Sequence, residues 1–194
     1  VVGGDGSLLK AAHFAAKQDL PIIGINRGRL GFLTDICPDT LAQIDDILQG
    51  KHTTESRYMI NSYITHNDQD SEPEIALNDV VLQAEGAQMI AFDVFVDDEL
   101  VYEHRADGLI IATPTGSTAY ALSGGGPILQ PQLPALALVP MFPHTLGSRP
   151  IVVSINSKIR IQLSSNQRVA PTMSNDGNNK RPVPPGSEVH ANLH

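Results

Sequence analysis

The sequence predicts an α/β segment with a partial parallel sheet followed by a β-rich domain, and three observations carry that expectation. Residues 1–52 alternate short apolar runs with stretches whose apolar residues recur at helical spacing. After about residue 55 the hydrophobic period falls to two, the spacing of a half-buried strand. Between 105 and 129 an apolar run opens into a loop dense in hydroxyls and glycines, the composition of a turn. The expected division is a partial α/β domain over 1–54 and a β-rich domain over 55–194.

Taken in order, Val1-Val2 reads as the end of a strand. The first residue is not Met and "GSEVHANLH" stops as a new apolar element begins, so the sequence reads as a fragment missing both ends. Leu8, Ala11, Ala12 and Ala15 form one apolar face of a helix over 7–17. "LPIIGIN" (20–26) is a continuous apolar run of the kind that makes a buried parallel strand. Pro38 opens a second helix with Leu41, Ile44 and Leu48 on one face and Gly50 as its stop. In "MIAFDVFVDDEL", Ile90, Phe92, Val94 and Val96 alternate before the turn residues "VDDE". "KIRIQLS" repeats the alternation, with Ile159, Ile161 and Leu163 inward and Lys158, Arg160 and Gln162 outward. A short helix is expected over 118–123, ended by Gly124-Gly125-Gly126-Pro127, and "NDGNNKRPVPPG" (175–186) reads as a turn-rich loop.

Composition removes several classes of function. A formal net charge of -8 argues against a surface that neutralises nucleic-acid phosphates. No apolar run approaches the roughly 20 residues that span a bilayer, and no signal-peptide pattern opens the sequence, so neither membrane insertion nor export is expected. The single cysteine, Cys37, excludes an intrachain disulfide or a cysteine metal cluster, and a cytoplasmic location fits. The histidines form no metal-binding pattern: His190 and His194 stand four apart without the remaining motif, and His144 sits in a proline-flanked turn near Arg149.

Four stretches can carry chemistry. In "VVGGDGS" an aspartate, Asp5, stands among glycines where a strand meets a helix. Glycines let backbone approach a ligand, and the helix mouth offers free N–H groups to an anion. The turn lacks the lysine of a Walker loop, so Asp5 either caps the helix, bridges phosphate through Mg²⁺, or takes a proton from a hydroxyl attacking phosphate. In "RADGLIIATPTGSTAYALSGGGPIL" five hydroxyl residues, Thr113, Thr115, Ser117, Thr118 and Tyr120, crowd one loop and suit a phosphorylated sugar better than an apolar ligand, although helix capping explains one or two of them. In "ALNDVVLQ", Asn78 and Asp79 interrupt a strand, where a ligand or a cross-strand hydrogen bond must satisfy them. In "NRGRLGFLTD", Arg27, Arg29 and Phe32 follow a predicted parallel strand, the end at which open α/β sheets bind ligands, or else form an exposed loop.

Together "GGDGS", "GINRGRLGFLTD", "LNDVV", "DGLIIATPTGSTAY", "GGGPIL" and "LVPMFPHTLGSRP" resemble, in order and spacing, the bacterial NAD kinases. The resemblance implies a two-domain architecture with a NAD site and the reaction of ATP with NAD to give NADP and ADP, with Mg²⁺ or another divalent cation carried on the substrate phosphates. It implies that Asp5 accepts the proton of the adenosine ribose 2'-hydroxyl and that Gly6 and Phe32 lie near the dinucleotide. It implies that Asn78 and Asp79 hold ribose and base groups, with Arg105 and Asp107 near the nicotinamide end. Thr118, Ala119, Tyr120, Ala121 and Ser123 match the segment that wraps the dinucleotide, and Asn178 matches a further contact. A homodimer or homotetramer is also implied. Two other readings stand beside this one: an inactive NAD-binding regulatory module, and another kinase with the same turn acting on a lipid or sugar.

Overall fold

The computed structural model describes residues 1–27, 31–86, 88–144, 147–167 and 169–194, and it separates into units Val1–Ser56 and Arg57–His194. Arg29, singled out above, lies outside the described residues.

In the first unit, helix α1 (Asp5–Ala16) buries Leu8, Ala12 and Ala15. Gly24 lies under it so closely that an added Cβ would sit 2.5 Å from Leu8 Cδ1. The parallel pairing expected here takes the form of isolated bridges, Val2 to Ile25 and Ile25 to Ile36. They are tied by hydrogen bonds such as Gly3 N–H to Ile25 C=O at 2.9 Å and Asn26 N–H to Ile36 C=O at 2.8 Å. The strand expected over 20–26 therefore contracts to Ile25, and Leu20 and Ile22 are exposed. The second helix is also shorter than its pattern. A 3₁₀ turn, Pro38–Thr40, precedes α2 (Gln43–Leu48), whose six residues are less than two turns. A stripe through Leu41, Ile44 and Leu48 cannot form on so short a helix, and Leu48 is 80% exposed.

The second unit is built of antiparallel strands. β1 (Ile60–His66), β2 (Gln69–Asp70), β3 (Glu74–Ala76), β4 (Asp79–Gln83), β5 (Ile90–Val96), β6 (Glu99–Ala106) and β7 (Gly108–Ala112) come first. A short helix, α3 (Tyr120–Ser123), separates these from β8 (Ala135–Met141), β9 (Ile151–Ser154), β10 (Ile159–Leu163), β11 (Thr172–Asn175), β12 (Asn178–Pro182) and β13 (Glu188–Leu193). One sheet runs β2-β1-β13-β10-β5-β6 with β3 also on β1, and the other runs β12-β11-β4-β7-β8-β9. Ile60, Ile90, Phe92, Ile159 and Ile161 from the first sheet share a core cluster with Leu82, Leu109, Ile111 and Met173 from the second. The second sheet is buried on its other face too, where Val81, Ile110, Ala112 and Val139 pack with Ala121 and Leu129. This double burial is why "GLIIA" and "ALALVPM" read as continuous apolar runs although their pairing is antiparallel.

Two-residue turns at Asn67-Asp68, Asp97-Asp98 and Asp176-Gly177 have both φ values positive, the geometry that suits a hairpin to the right-handed twist of its strands. The last of these corrects the loop expected over 175–186: Asp-Gly closes a hairpin of β11 and β12. Among the described residues no helix is long and apolar enough to cross a membrane.

Candidate functional site

In the first unit, Asp5 opens α1, with Gly4 as its cap residue making no side-chain bond. The Asp5 carboxylate does not cap its own helix. Oδ2 accepts the Phe32 N–H at 3.0 Å and Oδ1 accepts the Leu33 N–H at 3.2 Å. Gly31 passes so close that an added Cβ would lie 2.1 Å from Oδ1. Each carboxylate oxygen keeps a second lone pair, so the group is fixed in direction yet still able to accept a proton. Gly6 borders open space, and the Phe32 ring is 78% exposed although its backbone holds Asp5.

In the second unit the segment Leu77-Asn78-Asp79 is held on two sides. Thr113 Oγ1 donates to Leu77 C=O at 2.5 Å and the Thr113 N–H donates to Asn78 C=O at 2.9 Å. Gly116 approaches until an added Cβ would stand 2.0 Å from the Asn78 carbonyl oxygen, a contact that a larger residue forbids. On the other side the Asp176 carboxylate accepts the N–H groups of Leu77, Asn78 and Asp79 at 2.8, 2.7 and 3.1 Å.

Several hydroxyls of the loop after β7 bond to its own backbone. Thr113 Oγ1 also accepts the Gly116 N–H, Ser117 Oγ donates to Pro114 C=O at 2.6 Å and accepts the Leu129 N–H at 3.0 Å, and Thr118 Oγ1 donates to Thr115 C=O. A 3₁₀ turn, Thr115–Thr118, leaves backbone groups that the hydroxyls of Thr113, Ser117 and Thr118 help to satisfy, which stabilises the loop.

A recess of about 390 Å³ opens over this segment, lined by Asn78, Asp79, Gln83, Ala119, Tyr120, Ser174, Asp176 and Lys180 among others. Asn78 Oδ1 is buried with no hydrogen-bond partner among the described residues. Asp79 is 4% exposed, and burial, reinforced by the charge of Asp176, pushes its carboxyl up to about 7. The recess thus combines an unsatisfied acceptor, a carboxyl poised near neutrality, the exposed aromatic ring of Tyr120 and the ammonium of Lys180. That set suits a polar ligand with hydroxyls, a flat base and an anionic group.

The remaining expected residues are distributed unevenly. Ala121 is buried in the apolar cluster beneath α3, and Ser123 is exposed at the end of that helix. Arg105 lines a second recess of about 500 Å³ with Asp93, Glu103 and His144, sharing no residue with the first. Asp107 bonds through its backbone to Met141 and Ala84, and Asn178 Nδ2 donates to Asp176 C=O at 3.0 Å. Asp176 itself was missed. Its signal in the sequence was the Asp-Gly pair, which announces a hairpin turn but not what the carboxylate reaches.

The chain carries an α/β segment with a Gly-Gly-Asp-Gly helix mouth and an antiparallel sandwich bearing a polar recess. Residues 77–192 match the ATP-NAD kinase C-terminal domain and residues 1–52 match the ATP-NAD kinase N-terminal domain. An NAD kinase of Coxiella burnetii is 59% identical over 191 residues, covering 98% of this chain and 64% of its own length. One from a Marinomonas species is 52% identical over 192 residues, covering 98% and 66%. Among solved structures, yeast NADH kinase complexed with NADH has a TM-score of 0.91 at 29% identity, covering 100% of this chain and 57% of that one. An NAD kinase from Archaeoglobus fulgidus in complex with ATP has a TM-score of 0.80 at 29% identity, covering 100% and 72%. The chain belongs to the ATP-NAD kinase family and spans 64 to 66% of the length of these curated relatives.

Proposed function

We propose that the protein is an NAD kinase, transferring the γ-phosphoryl group of ATP to the 2'-hydroxyl of the adenosine ribose of NAD. The observation that supports this reading most is the recess at the head of β4, where Asn78 Oδ1 has no donor among the described residues and burial pushes the Asp79 carboxyl up to about 7, in a chain of this family. In the reaction the ribose 2'-oxygen bonds to the γ-phosphorus, the bond from that phosphorus to the ADP oxygen breaks, and the hydroxyl proton passes to the Asp5 carboxylate. Two backbone N–H bonds hold Asp5 in direction, which favours a positioned proton acceptor over a freely rotating one. Gly6 leaves room at the helix mouth and Phe32 offers an exposed ring, and both are assigned to the dinucleotide. Asn78 and Asp79 receive ribose and base groups, with Ala119, Tyr120 and Asn178 around them and Thr118, Ala121 and Ser123 shaping the same segment. Arg105 and Asp107 are assigned to the nicotinamide end. Residues 55–194 form the dinucleotide-binding domain and 1–54 carry the catalytic turn.

Among the described residues no three His, Cys, Asp or Glu side chains converge as a cation site. A divalent ion such as Mg²⁺, carried by the triphosphate, would neutralise charge on the transferring group. A homodimer or homotetramer in the cytoplasm completes the reading. The test is NADP formation from NAD and ATP, followed by an enzyme specific for NADP, alongside an NAD titration. NADP production supports the kinase, NAD uptake without NADP leaves a binding module, and no NAD uptake overturns the reading.

A further inference from the structure

Asp176 is tied to the recess by its backbone as well as its side chain. It is the first residue of the two-residue turn between β11 and β12, with φ of +50° followed by +69° at Gly177. Its carboxylate accepts three successive N–H groups, from Leu77, Asn78 and Asp79, and its own N–H donates to Asp79 C=O at 2.9 Å. Gly116 closes against the opposite side of Asn78. The backbone that carries Asn78 and Asp79 is thus locked between a turn and a loop that are remote from it in sequence.

We propose that Asp176 is a positioning residue for substrate recognition: its carboxylate, gripping the three N–H groups at the head of β4, sets the direction in which Asn78 and Asp79 face the dinucleotide. This rests on the NAD kinase reading above. The chemistry is specific to a carboxylate. Three N–H donors converge on two acceptor oxygens, a charge-assisted arrangement, whereas an asparagine offers one oxygen and turns an NH₂ group against an N–H. The group cannot be replaced by packing, because the N–H groups it satisfies lie at the edge of a buried strand. Burial, and after it the charge of Asp176, keeps Asp79 from ionising easily, so the residue that fixes the direction of its neighbour also adds to its protonation.

The test compares Asp176→Asn with Asp97→Asn. Asp97 occupies the same place in the β5-β6 turn, with φ of +52°, and its carboxylate accepts the Lys158 N–H at 2.9 Å, away from the recess. Amide hydrogen exchange without ligand, NAD titration, and initial-rate kinetics are measured on each. Asp176→Asn is expected to speed exchange at Leu77 and Asn78 while β7 and β8 stay protected. It is expected to weaken NAD binding and raise KM for NAD roughly 10- to 100-fold, with kcat within about threefold. Asp97→Asn is expected to do none of this. Unchanged exchange at 77–79 overturns the grip. Faster exchange with wild-type NAD affinity overturns the positioning role, as does equal weakening by Asp97→Asn, which would mark a general loss of stability. A wild-type protein that takes up no NAD overturns the kinase reading and the assignment to NAD with it, while the ligand-free exchange result still judges the grip by itself.

Discussion

The two units hold their polar groups by different means. In the first, Asp5 rests on two N–H groups of one loop, in a unit whose sheet is reduced to single bridges. In the second, Asn78 and Asp79 stand at the head of a strand buried between two apolar clusters, and two separate chain segments, the loop after β7 and the turn at Asp176, clamp their backbone. The contrast teaches where rigidity is needed. On the proposed roles, a proton acceptor needs one oxygen aimed correctly, but a surface that reads a ribose and a base needs several groups fixed relative to one another, and a sandwich core supplies that frame.

The largest expected effect breaks the first side of the comparison. Asp5→Asn keeps size and the capacity to accept one N–H but removes the proton acceptor, so NADP formation falls about 10²- to 10⁴-fold with NAD affinity nearly intact. Steady-state rates beside a titration check it, and comparable turnover removes Asp5 from the chemistry. Next comes the charge buried in the second unit. The folded carboxyl of Asp79 is raised from 3.8 to about 7, so the unfolded chain gives up that proton first and the folded protein retains it. Its contribution to stability is present in full below about pH 3.8 and is lost as pH rises to about 7, with a ceiling of about 4 kcal/mol. Asp79→Asn should abolish that fall, seen as a denaturation midpoint that declines less between pH 4 and 7 than in wild type.

Gly116→Ala sharpens the comparison from the packing side. Its Cβ would meet the Asn78 carbonyl at 2.0 Å, and because both partners are backbone the strain cannot be relieved by a rotamer change. A loss of about 3 kcal/mol in urea denaturation is expected. The smallest effect belongs to the first unit's surface: Leu48→Gln, at a side chain 80% exposed, should change stability by less than about 0.5 kcal/mol. A larger loss would mean that the face of α2 is covered.

The alternation at Ile90, Phe92 and Val94, and again at Ile159, Ile161 and Leu163, was legible because a strand with one buried face must repeat every second residue. Helix α1 and the turn at 97-98 were legible for equally local reasons, an apolar stripe and residues that accept positive φ. The extent of the first unit's elements was not, since an apolar run such as "LPIIGIN" is equally compatible with a strand and with a single bridge.

By itself, then, the sequence determined the β-rich character of the second unit, the Gly-Gly-Asp-Gly turn before α1, and the set of residue types that resembles an NAD kinase. Only the tertiary structure decided that Thr113 and Ser117 serve the backbone and that Asp176 grips a segment 97 to 99 residues away. Period and turn chemistry are local properties, written in neighbouring residues. Which carboxylate meets which N–H depends on β11 lying beside β4, and that is fixed only when the whole sheet closes on its core.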